Sequence, residues 1–166
     1  VYMIGQAKRF MMKKQESVLS NIRPSWHELF VEATILFSKR SSCVKTKQAA
    51  LLVKDNRIIS CGVNGSPVGQ INCVEEEDGE EKCGKDSMGS CWLGIHAEQN
   101  AIGYAARNGI STEGCTMYVT QTPCISCAKL VVASGIKEYH YIGDYRLEDG
   151  KRFLESCDIK LCKIEK

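Results

Sequence analysis

The chain has 166 residues, a formal net charge of +2 and a composition that is 43% hydrophobic and 25% charged. This length predicts one domain with a substantial core, and the small net charge argues against a nucleic-acid partner. The sequence contains neither a run of ~18 apolar residues that could span a membrane nor a signal-peptide core. We therefore expect a cytoplasmic protein whose ten cysteines favour metal binding over disulfides.

The first predicted helix follows an N-terminal extension, residues 1–24, and opens a domain of residues 25–166. The extension mixes basic residues with Phe and Met, which fits either a short amphipathic helix or an ordinary extension. Ser25 and Glu28 have the spacing of a capping box, so the helix should begin after Ser25 and end near Arg40. Its apolar face should consist of Trp26, Leu29, Phe30, Ala33 and Phe37.

A β-hairpin is predicted next. Two runs rich in β-forming residues, 49–53 and 57–63, are joined at Asp55-Asn56, a pair typical of a short turn. The segment that follows, residues 64–67, is Asn-Gly-Ser-Pro. Turn chemistry alone explains this composition.

Residues 68–94 form a long polar loop, and such a loop in a compact domain needs an explanation. Metal binding is one, because Cys73, Cys83 and Cys91 lie in the loop and Cys43 could meet them from the end of the first helix. Four thiolates would make a closed structural zinc site. The loop lacks the usual C-x-x-C spacing, so free thiols in an insertion are the alternative.

The second half of the chain alternates helices and strands. We expect helices at 96–108, 124–134 and 149–156, and strands at 115–121, 138–142 and 159–164. The complete order is α-β-β-α-β-α-β-α-β. This order predicts an α/β fold, a three-layer α/β/α sandwich with a mixed five-stranded sheet.

Two short segments carry the strongest chemical signal: Ile95-His96-Ala97-Glu98 and Thr122-Pro123-Cys124-Ile125-Ser126-Cys127. His96, Cys124 and Cys127 would supply one imidazole and two thiolates. A catalytic zinc takes three protein ligands of this kind and keeps one position open for water. Glu98 is close enough in sequence to reach that water and is the candidate proton shuttle.

Both segments should lie at helix N-termini, where N–H groups and the helix dipole favour thiolates and hydroxide. Taken alone, C-x-x-C can be a redox pair or half of a structural zinc site, and H-x-E carries little information. A redox pair explains neither His96 nor Glu98, and a structural site would more often contain a fourth Cys or His. The combination therefore favours a catalytic zinc.

Together the two segments match H-x-E…P-C-x-x-C, the signature of zinc nucleobase deaminases. In these segments and several others the chain resembles the deoxycytidylate (dCMP) deaminases, whose bacterial and phage members are most similar because of the cysteine-bearing loop. The resemblance covers about residues 25–145 and implies the cytidine-deaminase-like fold. The similar segments are 40–43, 62–67, 95–102, 117–119, 122–129 and 133–137.

The resemblance implies an enzyme of pyrimidine nucleotide metabolism that hydrolyses dCMP to dUMP and ammonia and so supplies dTTP synthesis. It implies that the three ligands hold the catalytic zinc and that Glu98 passes a proton from water to N3 and then to the leaving ammonia. Asn64 would hold the sugar 3′-hydroxyl. Tyr145 would line or close the nucleotide pocket.

Further family properties are implied as well. Some members hold a second, structural zinc through the helix-end cysteine and the long loop, which makes Cys43, Cys73, Cys83 and Cys91 the candidates here. Many members are hexamers, activated by dCTP and inhibited by dTTP, with these effectors bound near the turn after the second strand. We accordingly expect a homo-oligomer, a hexamer, that responds to both nucleotides.

Two alternatives stay open. The same chemistry could act on another cytosine nucleoside or nucleotide, such as cytidine or dCTP, or on adenosine in tRNA, although the nearly neutral chain lacks a basic RNA surface. The chain could instead be a non-catalytic, zinc-stabilised nucleotide sensor. Glu98 argues against the sensor, since a binding module needs no proton shuttle.

Overall fold

The computed structural model describes residues 23–70, 72–73 and 91–165. Residues 1–22 of the predicted extension, most of the predicted loop and Cys83 lie outside the described residues. None of the helices in the described part of the chain has the length and apolarity that a bilayer crossing requires.

The predicted order of elements is confirmed, and their bounds differ from prediction by at most two residues. The elements are α1 (Trp26–Ser38), β1 (Ala49–Lys54), β2 (Arg57–Val63), α2 (Ala97–Arg107), β3 (Thr116–Gln121), α3 (Ile125–Ala133), β4 (Glu138–Gly143), α4 (Asp149–Ser156) and β5 (Lys160–Lys163).

The five strands form one mixed sheet in the order β2-β1-β3-β4-β5. β1 is antiparallel to both β2 and β3, whereas β3, β4 and β5 are parallel. The β1–β2 hairpin turns at Asp55 and Asn56, whose φ angles are 49° and 57°. Asp and Asn tolerate this left-handed backbone better than most residues, which is why the pair makes a short turn.

Helices cover both faces of the sheet, so the predicted three-layer sandwich is confirmed. Alternate residues of a strand point to opposite faces, and β1 is buried on both. Leu52 faces the larger core, to which α2, α3 and α4 contribute, while Leu51 faces the smaller core beneath α1. In β3, Met117 and Val119 belong to the larger core and Tyr118 to the smaller one.

Helix α1 begins with the predicted capping box. The amide of Glu28 donates to Ser25 Oγ (3.2 Å), and the amide of Ser25 donates to the Glu28 carboxylate (2.7 Å). The predicted apolar face is only partly covered: Phe30 is buried, whereas three other members of the face are exposed. Trp26, Leu29 and Phe37 are 46%, 41% and 37% exposed, because the helix meets the sheet along a narrow stripe that includes Phe30 and Thr34.

Gly62 sets the spacing between β2 and α2. A Cβ at this position would overlap the carbonyl oxygen of Ala97 and the amide nitrogen of Ala101. The absence of a side chain therefore lets the first turn of α2 rest directly on the strand. This contact holds the H-x-E segment at one end of the sheet.

Candidate metal centre and active site

The sheet brings the two motifs to the same end of the molecule. β2 and β3 run in the same direction, since both are antiparallel to β1, so their carboxyl ends meet at one edge. The second motif follows β3 directly. The first motif is tied to the end of β2 by two backbone hydrogen bonds between Gly65 and Ile95, of 3.2 and 2.9 Å.

As predicted, both motifs lie at helix N-termini. His96 is the N-cap of α2, and Cys124 is the N-cap of α3, with Cys127 in the first turn of α3. Gln99 Oε1 accepts a hydrogen bond from the amide of His96 (3.0 Å), which fixes the start of α2. Both ligand-bearing turns therefore present the positive end of a helix dipole to the site.

The three predicted zinc ligands converge. Nδ1 of His96 lies 3.5 Å from Cys124 Sγ and 3.4 Å from Cys127 Sγ, and one ligand atom from each residue lies within 4.8 Å of the others. This donor set fits a zinc ion held by three protein ligands. Zinc is therefore the metal that the residues favour.

The electrostatics of the ligands also fit a metal site. A hydrogen bond from Cys127 holds the pKa of Cys124 well below its ordinary value, at about 4. The pKa of Cys127 is raised, because its proton serves that bond and because it is buried. The hydrogen bond to Cys124 also raises the pKa of His96. One thiolate is thus already formed at neutral pH, and a cation would favour release of the second thiol proton.

Glu98 lies beside this cluster and is nearly fully buried, with 9% of its surface exposed. Burial raises the pKa of its carboxyl group. The hydroxyl of Tyr139, a residue of β4, lies 3.3 Å from Glu98 Oε1. A raised pKa favours the protonated carboxyl group, so this side chain is suited to take up a proton and pass it on, as a proton shuttle requires.

A cavity of 580 Å³ opens onto the cluster. His96, Glu98 and Cys124 line it, whereas Cys127 lies behind them and is fully buried. The volume is in the range that holds a nucleotide-sized ligand. Both predicted substrate residues, Asn64 and Tyr145, also line this cavity.

Asn64 is fixed in one orientation. Its Oδ1 accepts hydrogen bonds from Ser41 Oγ (2.6 Å) and from the amide of Gln48 (2.8 Å), and its Nδ2 donates to the carbonyl of Thr46 (2.9 Å). An amide nitrogen has two hydrogens, so a second donor is available for a ligand. Sequence reasoning did not identify Ser41 as the residue that holds Asn64, although it lies in a segment quoted for the resemblance.

Tyr145 is attached to the second motif through its backbone. Its amide donates to Thr122 Oγ1 (2.6 Å), and the amide of Thr122 donates to the carbonyl of Gly143 (2.9 Å). The segment after β4 therefore stays next to the start of α3. This arrangement keeps the Tyr145 ring at the cavity wall.

A polar network that the sequence did not reveal lines the same cavity. Gln48 Oε1 accepts from Thr120 Oγ1, and Gln48 Nε2 donates to Gln121 Oε1 (2.8 Å). Gln121 in turn donates to the carbonyl of Asp144 (2.8 Å). The network ties β1, β3 and the segment after β4 together around the site, and its members lie too far apart in sequence for a local pattern to identify them.

The cysteines predicted for a second zinc have a different arrangement. Cys43, Cys73 and Cys91 all line the 580 Å³ cavity, but within the described residues they form no cluster comparable to that of His96. Cys91 Sγ accepts a hydrogen bond from the amide of Gly94 (3.2 Å). The four-cysteine site stays a prediction.

Comparisons with known proteins agree with a metal-binding role for this site. Residues 24–142 match the family model of the cytidine and deoxycytidylate deaminase zinc-binding region. The chain is 36% identical over 129 residues to ComE operon protein 2 of Bacillus subtilis, covering 75% of this chain and 62% of that protein. It is 37% identical over 147 residues to the deoxycytidylate deaminase of phage T4, covering 69% of this chain and 76% of that protein.

A solved structure is similar over most of the chain. The dCMP deaminase of cyanophage S-TIM5, in complex with dCMP and dUMP, superposes with a TM-score of 0.73 at 32% identity. The match covers 87% of this chain and 100% of that one. The chain thus belongs to the cytidine and deoxycytidylate deaminase family, and the cluster of His96, Cys124 and Cys127 lies within the matched region.

Proposed function

We propose that the chain is a zinc-dependent hydrolase that converts dCMP to dUMP and ammonia. The observation that carries this proposal is the convergence of one imidazole, two sulfurs and a buried carboxyl group at a cavity of nucleotide size. The T4 relative is named a deoxycytidylate deaminase, and the cyanophage structure contains dCMP and dUMP. The name of the T4 protein and the ligands of the cyanophage structure both support dCMP as the substrate.

His96, Cys124 and Cys127 hold the zinc, which when bound supplies Lewis-acid activation of water near neutral pH. The low pKa of Cys124 makes this residue a ready thiolate ligand. The position of the ligands on two helix N-termini adds positive potential around the attacking oxygen. These residues therefore bind and activate but do not themselves transfer the proton.

Glu98 moves the proton. Its carboxylate takes a proton from water and delivers it to N3 of the cytosine ring, and it later carries a second proton to the departing amino group. Burial raises the pKa of this carboxyl, which favours its protonated form and suits it to act as an acid. The balance is one water consumed, one C–N bond broken, one C=O bond formed and one ammonia released.

The cavity supports a phosphorylated deoxynucleoside. Asn64 has an amide hydrogen available for the sugar 3′-hydroxyl, and Tyr145 covers the nucleotide from the segment after β4. Two cationic side chains, Lys45 and Arg146, line the same cavity. A cationic lining favours a substrate that carries phosphate.

The direct experiment measures ammonia release from dCMP, dCTP, CMP and deoxycytidine by the zinc-loaded protein. We expect the highest kcat/KM for dCMP. A higher kcat/KM for deoxycytidine would contradict the assignment of a nucleotide substrate, and a higher value for dCTP would show that the phosphate count is wrong.

The response to dCTP and dTTP is supported by a second cavity, of 270 Å³, beside the turn after β2. Arg40 lines it, and the buried Ser66 Oγ beside it has no hydrogen-bond partner among the described residues. Gly65 and Ile95 line both cavities, and Ile95 immediately precedes the zinc ligand His96. An effector bound there would touch the segment that holds the metal.

The effector test compares the parent protein with Arg40→Ala at several concentrations of dCTP and dTTP. We expect dCTP to lower the KM for dCMP and dTTP to raise it in the parent protein, and both effects to weaken in the variant. A parent enzyme that ignores both nucleotides would contradict this part of the proposal.

Self-association, as a hexamer, is supported by the exposed apolar residues of α1. Leu36 is 63% exposed, and Trp26, Leu29 and Phe37 are also exposed on this helix. A second copy of the chain would cover them. Light scattering should give the mass of a hexamer, with a smaller mass for Leu36→Glu but not for Ile58→Glu, a change at an exposed apolar residue of the hairpin.

A structural zinc held by Cys43, Cys73, Cys83 and Cys91 completes the proposal. Its support is that the three described cysteines of this set line one cavity. Metal analysis of the purified protein should then find about two zinc ions per chain, as a closed site and a catalytic site together require. About one zinc per chain would reject the four-cysteine site.

A further inference from the structure

Tyr139 is a buried polar residue that the zinc chemistry does not use. It lies in β4, opposite Met117 of β3 in the parallel register, and its side chain is fully buried. A buried tyrosine hydroxyl normally finds a hydrogen-bond partner. The hydroxyl of Tyr139 has two acceptors within reach.

The first acceptor is Glu98 Oε1, at 3.3 Å, and the second is the carbonyl oxygen of Gln121, at 3.2 Å. Glu98 lies in the first turn of α2, and Gln121 is the last residue of β3, just before the segment that carries Cys124. The hydroxyl therefore connects the two motifs from the side of the core. It reaches the carboxyl group without lining the substrate cavity.

We propose that Tyr139 is a positioning residue for Glu98. Its hydroxyl holds Oε1 at the floor of the site, so that Oε2 is the oxygen that exchanges protons with water and substrate. Glu98 Oε1 and the carbonyl oxygen of Gln121 share the single hydrogen of this hydroxyl, and the contact with Gln121 keeps the hydroxyl beside the carboxyl group. This role rests on the proposed function, in which Glu98 transfers the proton.

The alternative for Tyr139 is that it only fills space in the core. Tyr141 offers a matched comparison, because it lies two residues further along β4, belongs to the same core cluster and is 4% exposed. No described hydrogen bond joins Tyr141 to Glu98. A change of either tyrosine to phenylalanine removes one oxygen and retains the ring, but only the change at Tyr139 removes the contact with the carboxyl group.

The kinetic test compares Tyr139→Phe with Tyr141→Phe, both zinc-loaded. We expect kcat for dCMP to fall about 10- to 100-fold in Tyr139→Phe, because a misplaced catalytic group slows the reaction by such factors. The KM and the zinc content should stay the same, because Tyr139 neither lines the cavity nor belongs to the three proposed zinc ligands. Tyr141→Phe should keep kcat within about twofold.

A second measurement does not depend on turnover. In the zinc-free protein, Tyr139→Phe and Glu98→Ala, each of which removes one partner of the contact, should give changes in Tm that are not additive when combined. A crystal structure of zinc-loaded Tyr139→Phe should show the Glu98 carboxyl group in more than one orientation. Tyr139→Met, which also lacks the hydroxyl, should reproduce the loss of kcat if the phenylalanine variant folds poorly.

The inference fails if Tyr139→Phe keeps kcat within about twofold, if KM rises in proportion to the loss of kcat, or if the losses in Tm are additive. Its failure is distinguishable from that of the proposed function. A parent protein that leaves dCMP unchanged would refute the function, whereas an active parent with a fully active Tyr139→Phe variant would refute only the role of Tyr139.

Discussion

Gly150, the second residue of α4, lies directly against the main chain of Cys124. A Cβ at position 150 would overlap the carbonyl oxygen of Pro123 and lie 2.8 Å from the carbonyl carbon of Cys124. Both atoms belong to the backbone, so no rotation of a side chain could relieve the overlap. Through this contact α4 packs against the start of α3, where Cys124 lies.

We predict that Gly150→Ala lowers the free energy of unfolding by about 1–3 kcal/mol, the usual cost of overpacking, and weakens zinc binding. Gly103→Ala is the matched control, because a Cβ at this exposed position of α2 would meet nothing within 4 Å. Removal of a helical glycine there should stabilise the protein by about 0.5–1 kcal/mol. Urea unfolding with parallel zinc analysis measures both effects, and equal behaviour of the two variants would argue against the packing role of Gly150.

Cys127→Ser should remove one zinc ion per chain, because a serine hydroxyl is a poor substitute for a thiolate ligand. Cys157→Ser is the control, since Cys157 is a half-buried cysteine outside the cavity and should retain the full metal content. The measurement is elemental analysis of the purified variants. A Cys127→Ser protein with unchanged zinc would show that the metal is held elsewhere.

Ser41→Ala should raise the KM for dCMP about fivefold, which corresponds to the loss of one hydrogen bond of ~1 kcal/mol. The Ser41 hydroxyl donates to Asn64 Oδ1, and without it the amide that we propose for the sugar contact is held less firmly, by Gln48 and Thr46. Ser38→Ala serves as the control, since that hydroxyl bonds only to the local carbonyl of Ile35. Steady-state kinetics should show a raised KM for Ser41→Ala and an unchanged KM for Ser38→Ala. A loss of kcat at constant KM would point to a different role for Ser41.

His140 gives the protein a pH dependence of stability with a defined sign. Burial lowers its pKa from the ordinary value of 6.5, and the nearby His27 and Lys160 lower it further, in spite of the hydrogen bond with Glu138. As the pH falls below the ordinary value, the unfolded chain therefore binds a proton that the folded protein does not, and stability decreases.

The measurement is the free energy of unfolding of the zinc-loaded protein and of His140→Gln, each between about pH 5.5 and 7.5, the range that brackets an ordinary histidine. The difference between the parent and the variant should shrink as the pH is lowered. A difference that stays constant, or grows towards acid, would show that His140 does not retain its neutral form in the fold.

Local patterns predicted the elements well, and they selected three donor side chains that the fold brings together. The capping box at Ser25 and the turn at Asp55-Asn56 act over a few residues, so their signals are complete within the segment itself. The donor side chains His96, Cys124 and Cys127 could be selected because H-x-E and C-x-x-C place them at single helical turns. Their convergence follows from strands that carry both motifs to one end of the sheet.

Contacts between distant segments could not be predicted in the same way. Tyr139 meets Glu98 across 41 positions of sequence, and Gly150 meets Cys124 across two elements, so no periodicity records either contact. The exposure of Trp26 and Leu29 was missed for a related reason. An amphipathic pattern identifies the apolar side of a helix but not how much of that side the sheet can cover.

The central claim is that Glu98 transfers protons at a zinc held by His96, Cys124 and Cys127. Glu98→Gln preserves the size of the side chain and removes its ability to exchange a proton, so one measurement tests the claim most directly: the rate of ammonia release from dCMP by the zinc-loaded variant beside the parent. We predict that the parent enzyme is active. The variant should have full zinc content and an unchanged fold, and its rate should be at least ~100-fold lower than that of the parent. A zinc-loaded Glu98→Gln protein that deaminates dCMP at the parent rate would contradict the account.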